Sequence, residues 1–347
     1  MEDKLNNIDI ISGFKYAGIA DVVFSGVFLR SQIDTLNLAK NIEEYVDDNE
    51  YIFVRKKSFT LRENDVVFCK TEFVSELFSI LKKQCNLKNI KLITHQSDVK
   101  ISQSLYNTKP DCISTWYSIN VDVEKSDLIP IPIGIANFHT KNLNEKDLLK
   151  TSNSRNYFIN KSKLLYVNFN QNTNFSHRKG LYDYFRSKSW SESDIKPLDH
   201  VSYREKLSEH KFVLSPWGNG IDTHRFWESL YSGSIPITKE HKIYDSFRSI
   251  PKVLVSSYRN ISETFLNQEF EKLLKNNKDY SFEELNFSYW ERKICDTKND
   301  IDSNSYIDLY NYRYRYFGLL AEFKHRLKSK LKILNRIRRF IYKRFNI

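Results

Sequence analysis

Residues 211–237, KFVLSPWGNGIDTHRFWESLYSGSIPI, decide the fold. The apolar run Lys211–Ser215 reads as a buried strand, and Pro216–Thr223 as a glycine-rich loop. His224–Ser232 reads as a helix, Gly233 as its stop, and the segment through Ile237 as a second strand. Strand, loop, helix and strand at this spacing predict a parallel crossover unit. Gly218 and Gly220 lack a Cβ, so the backbone can turn tightly and approach a ligand closely. A helix start aims free N–H groups and a positive dipole end at the preceding loop, which suits a phosphate. Arg225 falls in the first turn, where its guanidinium can fork onto the same anion. Glu228 shares that helix face and suits ribose hydroxyls. On spacing alone, an ordinary strand–turn–helix with a surface Arg–Glu pair fits the same residues.

The ordered set Pro216, Gly218, Gly220, Asp222, Arg225, Trp227, Glu228, Gly233, Ile235 and Pro236 resembles the donor-site motif of exostosin-like glycosyltransferases. Fucosyltransferase-like enzymes have a related helix-and-proline segment. Outside the motif the likeness is looser and spans residues 90 to 300. It implies a GT-B-like architecture, two Rossmann-like α/β domains facing a cleft, with a nucleotide sugar held by the second. Donor-binding positions carried over are Arg178, Gly218, Gly220, Asp222, Arg225 and Glu228, and Asn219 and Thr223 in the same loop are expected to add donors. Arg178 and Arg225 would neutralise charge on the leaving nucleoside diphosphate, so that no metal or other cofactor is required.

Working outward, the first half alternates strand and helix signals. Asp21–Leu29, Asp65–Cys69 and Lys91–Thr94 are short apolar strand runs. Thr71–Gln84 carries apolar residues at helical spacing behind Thr71 as a cap. Ile129–Ile135, with two prolines and a glycine, reads as a bent connection or edge segment. The polar stretch 141–162 marks a boundary. Beyond it, strands are expected at Leu164–Asn168 and Lys252–Val255, with helices near Gly180–Ser187, Tyr203–His210 and Ile261–Asn276. The expected division is 1–155 on the acceptor side, 156–305 for the nucleotide sugar, and 306–347 as a helical region ending in a basic amphipathic tail.

Composition bounds the function. Four scattered cysteines without a Cys-x-x-Cys pair argue against zinc and a disulfide framework, and suit a reducing cytoplasm. The start MEDKLNNIDIISGF has no apolar core of the signal-peptide kind, and no run approaches the roughly 18 apolar residues of a membrane span. The net charge of +11 is local: ten Lys or Arg lie in 323–347 with no acid, which leaves 44 basic against 43 acidic residues elsewhere. Phe323, Leu327, Leu331, Leu334, Ile337, Ile341 and Phe345 form an apolar helical stripe, with Lys324, Lys328, Lys332, Arg336, Arg339 and Lys343 largely off it. Such a helix suits an anionic membrane surface, at about 1 kcal/mol per basic residue. Packing of the stripe on the protein's own body and nucleic-acid binding are the alternatives. The neutral body, with no nucleic-acid motif, speaks against the last.

Chemistry outside the motif centres on Thr94-His95-Gln96-Ser97-Asp98, a loop directly after a strand. Sugar transfer with inversion needs a general base, and Asp98 or His95 can serve. The alternative is that Asp98 caps the next helix while His95 hydrogen-bonds in the wall. Tyr117 and Asn120 are candidates for the acceptor side, and Trp116 for core packing. No Asp-x-Asp follows a strand; Asp122-Val123-Glu124 is the nearest imitation. That favours the two-domain, metal-independent type over the single-domain type that holds a cation. Pro236 stands eight residues after Glu228, where many retaining enzymes of the GT-B fold have a second Glu; inversion is expected. The reading is therefore a cytoplasmic glycosyltransferase, peripheral at the inner membrane face, that moves a sugar from a nucleotide sugar to a polysaccharide or lipid-linked glycan. A catalytically silent glycan- or nucleotide-binding subunit of an assembly complex is the alternative.

Overall fold

The computed structural model describes residues 9–29, 45–46, 51–136, 161–194, 198–276, 279–295 and 306–311. They form a mixed α/β structure around two largely parallel sheets. The first half contains α1 (Gly13–Gly18), β1 (Val22–Leu29), β2 (Tyr45–Val46), β3 (Tyr51–Arg55), β4 (Ser58–Arg62) and β5 (Val66–Lys70). It continues with α2 (Val74–Gln84), β6 (Ile90–His95), α3 (Gln103–Tyr106), β7 (Ile113–Ser118) and β8 (Leu128–Pro130). Its seven-stranded sheet runs β2-β3-β1-β5-β6-β7-β8. Strands β1, β5, β6, β7 and β8 are parallel, while β3 is antiparallel to β1. β6 is buried along its whole length and β5 along all but its last residue. Helices on both faces of a parallel sheet demand such continuous apolar runs.

The second lobe contains β9 (Lys163–Val167), α4 (Phe175–Arg178), α5 (Leu181–Arg186), β10 (Ser191–Ser193), α6 (His200–Glu209) and β11 (His210–Leu214). After these come α7 (His224–Tyr231), β12 (Ile235–Lys239), β13 (Val253–Val255), α8 (Glu263–Lys275) and α9 (Phe287–Cys295). Its sheet is wholly parallel in the order β10-β9-β11-β12-β13. Strand order reverses between β9 and β11, so a crevice opens beyond their carboxyl ends. The deciding stretch folds as read: β11, loop, α7, β12. Gly233 ends the helix at φ 71°, with its N–H on the Leu230 carbonyl and the Ser234 N–H on that of Ser229.

The two lobes share one apolar core. Ile11, Tyr16 and Ile133 of the first pack in one cluster with Phe226 and Trp227 of α7 and Trp290 of α9. Helix α9 returns to the first sheet, where Tyr117 Oη and Lys91 Nζ donate to the carbonyls of Lys293 and Ile294 at 3.0 and 2.6 Å.

Two expectations are corrected. Thr71 does not cap α2: residues 71–73 form a 3-10 turn and the Thr71 hydroxyl donates to the His95 carbonyl at 3.4 Å. Residues 306–347 do not begin as helix, because β14 (Tyr306–Tyr310) pairs antiparallel with β4, burying Leu309 beside Phe59 and Leu61. Ile129–Ile135 is edge segment and connection, as read: β8 closes the sheet and ends at Pro130, and the chain runs on as loop. The boundary at 155/156 and the tail 323–347 lie outside the described residues.

Candidate functional site

The loop after β11 stands at the crevice where strand order reverses, and Arg178 holds it from beneath. Its Nε donates to the Trp217 carbonyl at 2.8 Å, Nη1 to Asn170 at 2.8 Å and Nη2 to Pro216 at 2.9 Å. Asn174, in the left-handed region, adds Nδ2 to the Gly218 carbonyl at 2.5 Å. A planar fork of fixed N–H donors fits the three carbonyls that converge on it. The guanidinium, 4% exposed, lies 5.4 Å from the Phe169 ring centre. Burial, then the nearby charge of Arg225, bring its pKa down to about 10. Arg178 thus lies beneath the loop, with three of its donors given to main chain.

The loop's other side fastens the two lobes together. A Cβ on Gly220 would meet the Asn120 amide at 2.7 Å, so the glycine makes room for a protein side chain. Asn120 is buried; it donates to the Ser97 carbonyl at 3.1 Å and accepts from Asp222 N–H at 3.0 Å. Gly218 needs no such space, its added Cβ finding its nearest neighbour at 3.4 Å. Asp222, 3% exposed, accepts from Ile133 N–H at 2.8 Å, Thr223 N–H at 2.9 Å and Trp227 Nε1 at 2.9 Å. Burial, opposed by those hydrogen bonds, pushes its pKa up to about 7. Its carboxylate is engaged inside the protein, which corrects the expectation that it faces a donor. Asn219, exposed at the loop tip, donates to Asp98 Oδ2 at 3.0 Å.

Arg225 and Glu228 do share a face of α7, turned to the second lobe. The Arg225 guanidinium carbon lies 5.9 Å from the Tyr203 ring centre, and Tyr203 Oη donates to Glu228 Oε2 at 3.3 Å. Burial works against the Arg225 charge, but Tyr203 and Glu228 keep its pKa above the ordinary value. Its Nε is buried without a hydrogen-bond partner. Thr223 is half-buried at the helix start and makes no side-chain cap.

In the first lobe, a hollow of about 430 Å³ opens at the carboxyl ends of β1, β5 and β6. Lys70, Glu72, His95 and Asp98 line it from the first lobe, His224 from α7. His95 is fixed as a neutral ring. Its Nδ1 accepts from Gln96 N–H at 2.8 Å and its Nε2–H donates to the Pro132 carbonyl at 3.4 Å. Burial, then His224, lower its pKa to about 3. Both nitrogens are committed to the wall, so the expectation of His95 as base is corrected. Asp98 does not cap α3; Ser102 does. Tyr117 and Trp116 are buried in the first sheet, the latter against Phe78, and neither lines the hollow. His224, overlooked in the sequence, donates Nδ1–H to the Gly134 carbonyl at 2.7 Å. That bond leaves Nε2 as the ring nitrogen facing other partners. Its place at the first helical position was legible, its facing lobe was not.

Among the described residues, one carboxylate–histidine group is close enough to share an ion: Glu192, Glu209 and His210. It lies at the opposite, amino end of the second sheet, where Lys163 bridges both carboxylates at 2.8 Å. Asp122, in the acidic triplet, accepts from His241 Nε2 at 2.9 Å. No protein-family model and no curated protein matches the chain.

Proposed function

We propose that the chain is a glycosyltransferase of GT-B type that takes its sugar from a nucleotide sugar. The observation that carries the reading is the glycine-rich loop at the strand-order reversal of the second sheet, whose Asn219 reaches Asp98 on the lining of the first lobe's hollow. The donor's diphosphate lies against this loop on the second lobe. Arg225 supplies the cation, Arg178 keeps the loop in shape, and Glu228 takes the ribose. The acceptor, a glycan or lipid-linked glycan, enters the hollow, where Asp98 or His224 takes its hydroxyl proton. No metal is assigned a step. The basic tail 323–347 would hold the enzyme at an anionic membrane on the cytoplasmic side, a role tested by vesicle flotation of full-length and truncated protein.

The test is donor turnover by the purified full chain across a panel of nucleotide sugars, with Arg225→Ala beside it. Wild type should hydrolyse or transfer at least one donor; Arg225→Ala should lose this about 100-fold or more at nearly unchanged melting temperature. Full activity in the variant removes Arg225 from the mechanism. Nucleotide binding without any turnover favours the second reading, a silent binding subunit. The Asn219–Asp98 hydrogen bond favours that reading, since it occupies one candidate base.

A further inference from the structure

The junction of α6 and β11 sets Glu209 and His210 side by side, and edge strand β10 brings Glu192 to them. One oxygen of each carboxylate and one ring nitrogen of His210 lie within 4.8 Å of one another. Lys163 Nζ donates to both carboxylates at 2.8 Å, and Lys206 Nζ donates to Glu192. His210 is left unsatisfied by this arrangement. Its Nδ1 lies 2.6 Å from the Lys206 carbonyl, which can only accept, so Nδ1 carries a proton. The ring is fully buried, 5.1 Å from the Tyr166 ring centre, and its Nε2 has no hydrogen-bond partner. That nitrogen is aimed at Glu192 Oε2, 3.3 Å away. Burial, opposed by the Lys206 carbonyl and Glu192, lowers the His210 pKa, so near pH 7 the ring is neutral and Nε2 holds a lone pair. Two acceptors then face each other with no proton between them.

A neutral imidazole whose Nδ1–H is fixed on a carbonyl is the form that ligates a metal through Nε2. Bonds of about 2.0–2.1 Å to nitrogen and oxygen place two ligands of a tetrahedral zinc about 3.3 Å apart. His210 Nε2 and Glu192 Oε2 stand at that separation. We propose that His210 Nε2, Glu192 and Glu209 bind a divalent metal ion of the zinc class, with water in the fourth position. Lys163 is the counter-ion that the metal displaces. Its side chain and that of Glu209 are 42% and 44% exposed, so the ammonium can swing into solvent and the ion enter by the same route. Imidazole selects a borderline ion over magnesium or calcium, which take oxygen ligands. The cysteine pattern that argues against zinc does not bear on a site without thiolates. A bound ion pins β10, three residues paired with β9 among the described strands, to the start of β11. The site is structural and lies at the end of the sheet remote from the glycine-rich loop, so it stands whether or not the chain transfers sugar.

The test is calorimetric titration of the full, chelator-stripped chain with zinc chloride, and titration with cobalt followed by absorption. Glu209→Gln should weaken zinc about tenfold or more, and His210→Gln should do the same. Glu209 is exposed, so its variant keeps the test decisive even if the buried His210→Gln fails to fold. Lys163→Met should tighten zinc about tenfold, because the competing ammonium is gone. An ion-pair cluster that binds no metal would show only destabilisation in that variant. Zinc should raise the melting temperature of wild type and Lys163→Met and leave Glu209→Gln nearly unmoved, while magnesium moves none of them. Cobalt should give the visible bands of a tetrahedral nitrogen–oxygen site without a near-ultraviolet thiolate band. No zinc affinity in wild type, equal affinity in all the variants, or a cobalt–thiolate band overturns the site and leaves Lys163 as a plain ion-pair partner.

Discussion

Asp222 shows how much one carboxyl group can control. Three N–H donors from both lobes converge on it, yet no cation neutralises it, and burial holds its pKa near 7. An acid whose pKa is higher folded than unfolded stabilises the fold in its protonated form. That contribution is complete below about pH 4, the unfolded value, and is lost as pH rises through about 7. Wild-type stability against urea should therefore fall by about 1–4 kcal/mol between those limits relative to Asp222→Asn, which has nothing to titrate. Parallel pH profiles for the two proteins would mean that Asp222 ionises normally. Asp222→Ala should cost about 2–4 kcal/mol at any pH, because three buried donors lose their acceptor.

At the scale of the element, the loop 215–223 is held by contacts far apart in sequence. Gly220→Ala places a methyl 2.7 Å from an Asn120 amide already bound to Ser97 and Asp222, so it cannot swing away. Urea denaturation should show a loss of about 2 kcal/mol or more for Gly220→Ala and under about 1 for Gly218→Ala, whose methyl meets only ordinary contacts. Equal costs would show that the loop yields at both glycines. The same pair marks what the sequence could tell. Strand, loop, helix and stop were legible because periodicity, Pro216 and Gly233 are local signals. That Gly220 faces a residue 100 positions earlier was not, because its space is filled by the fold. Arg178 came from the family resemblance, whereas the carbonyls consuming its donors come from Asn170 and the loop itself. Strand β4 was missed although Ser58–Arg62 alternates as a half-buried strand does, because the run is only five residues long and its partner β14 lies over 240 residues away.

For the whole molecule, the joint between the lobes decides how it can move. Joints between domains of one chain usually resemble transient, fairly polar interfaces and permit relative motion. Here the joint is a continuous apolar core in which α7 and α9 pack against the first sheet. Trp290 sits at its centre, fully buried, edge-on to Phe247 at 6.0 Å and to Tyr289 at 5.1 Å, with Nε1 donating to the Glu284 carbonyl at 3.1 Å. Trp290→Ala should cost about 3–5 kcal/mol, the loss of a large buried aromatic side chain. If the lobes are one cooperative unit, that loss appears in both. Amide exchange should then accelerate together in β6 of the first sheet and β12 of the second, and calorimetry should show one transition moved to lower temperature. Faster exchange confined to β12, with a second transition left in place, would mean that the lobes fold separately and that the core between them is a contact surface.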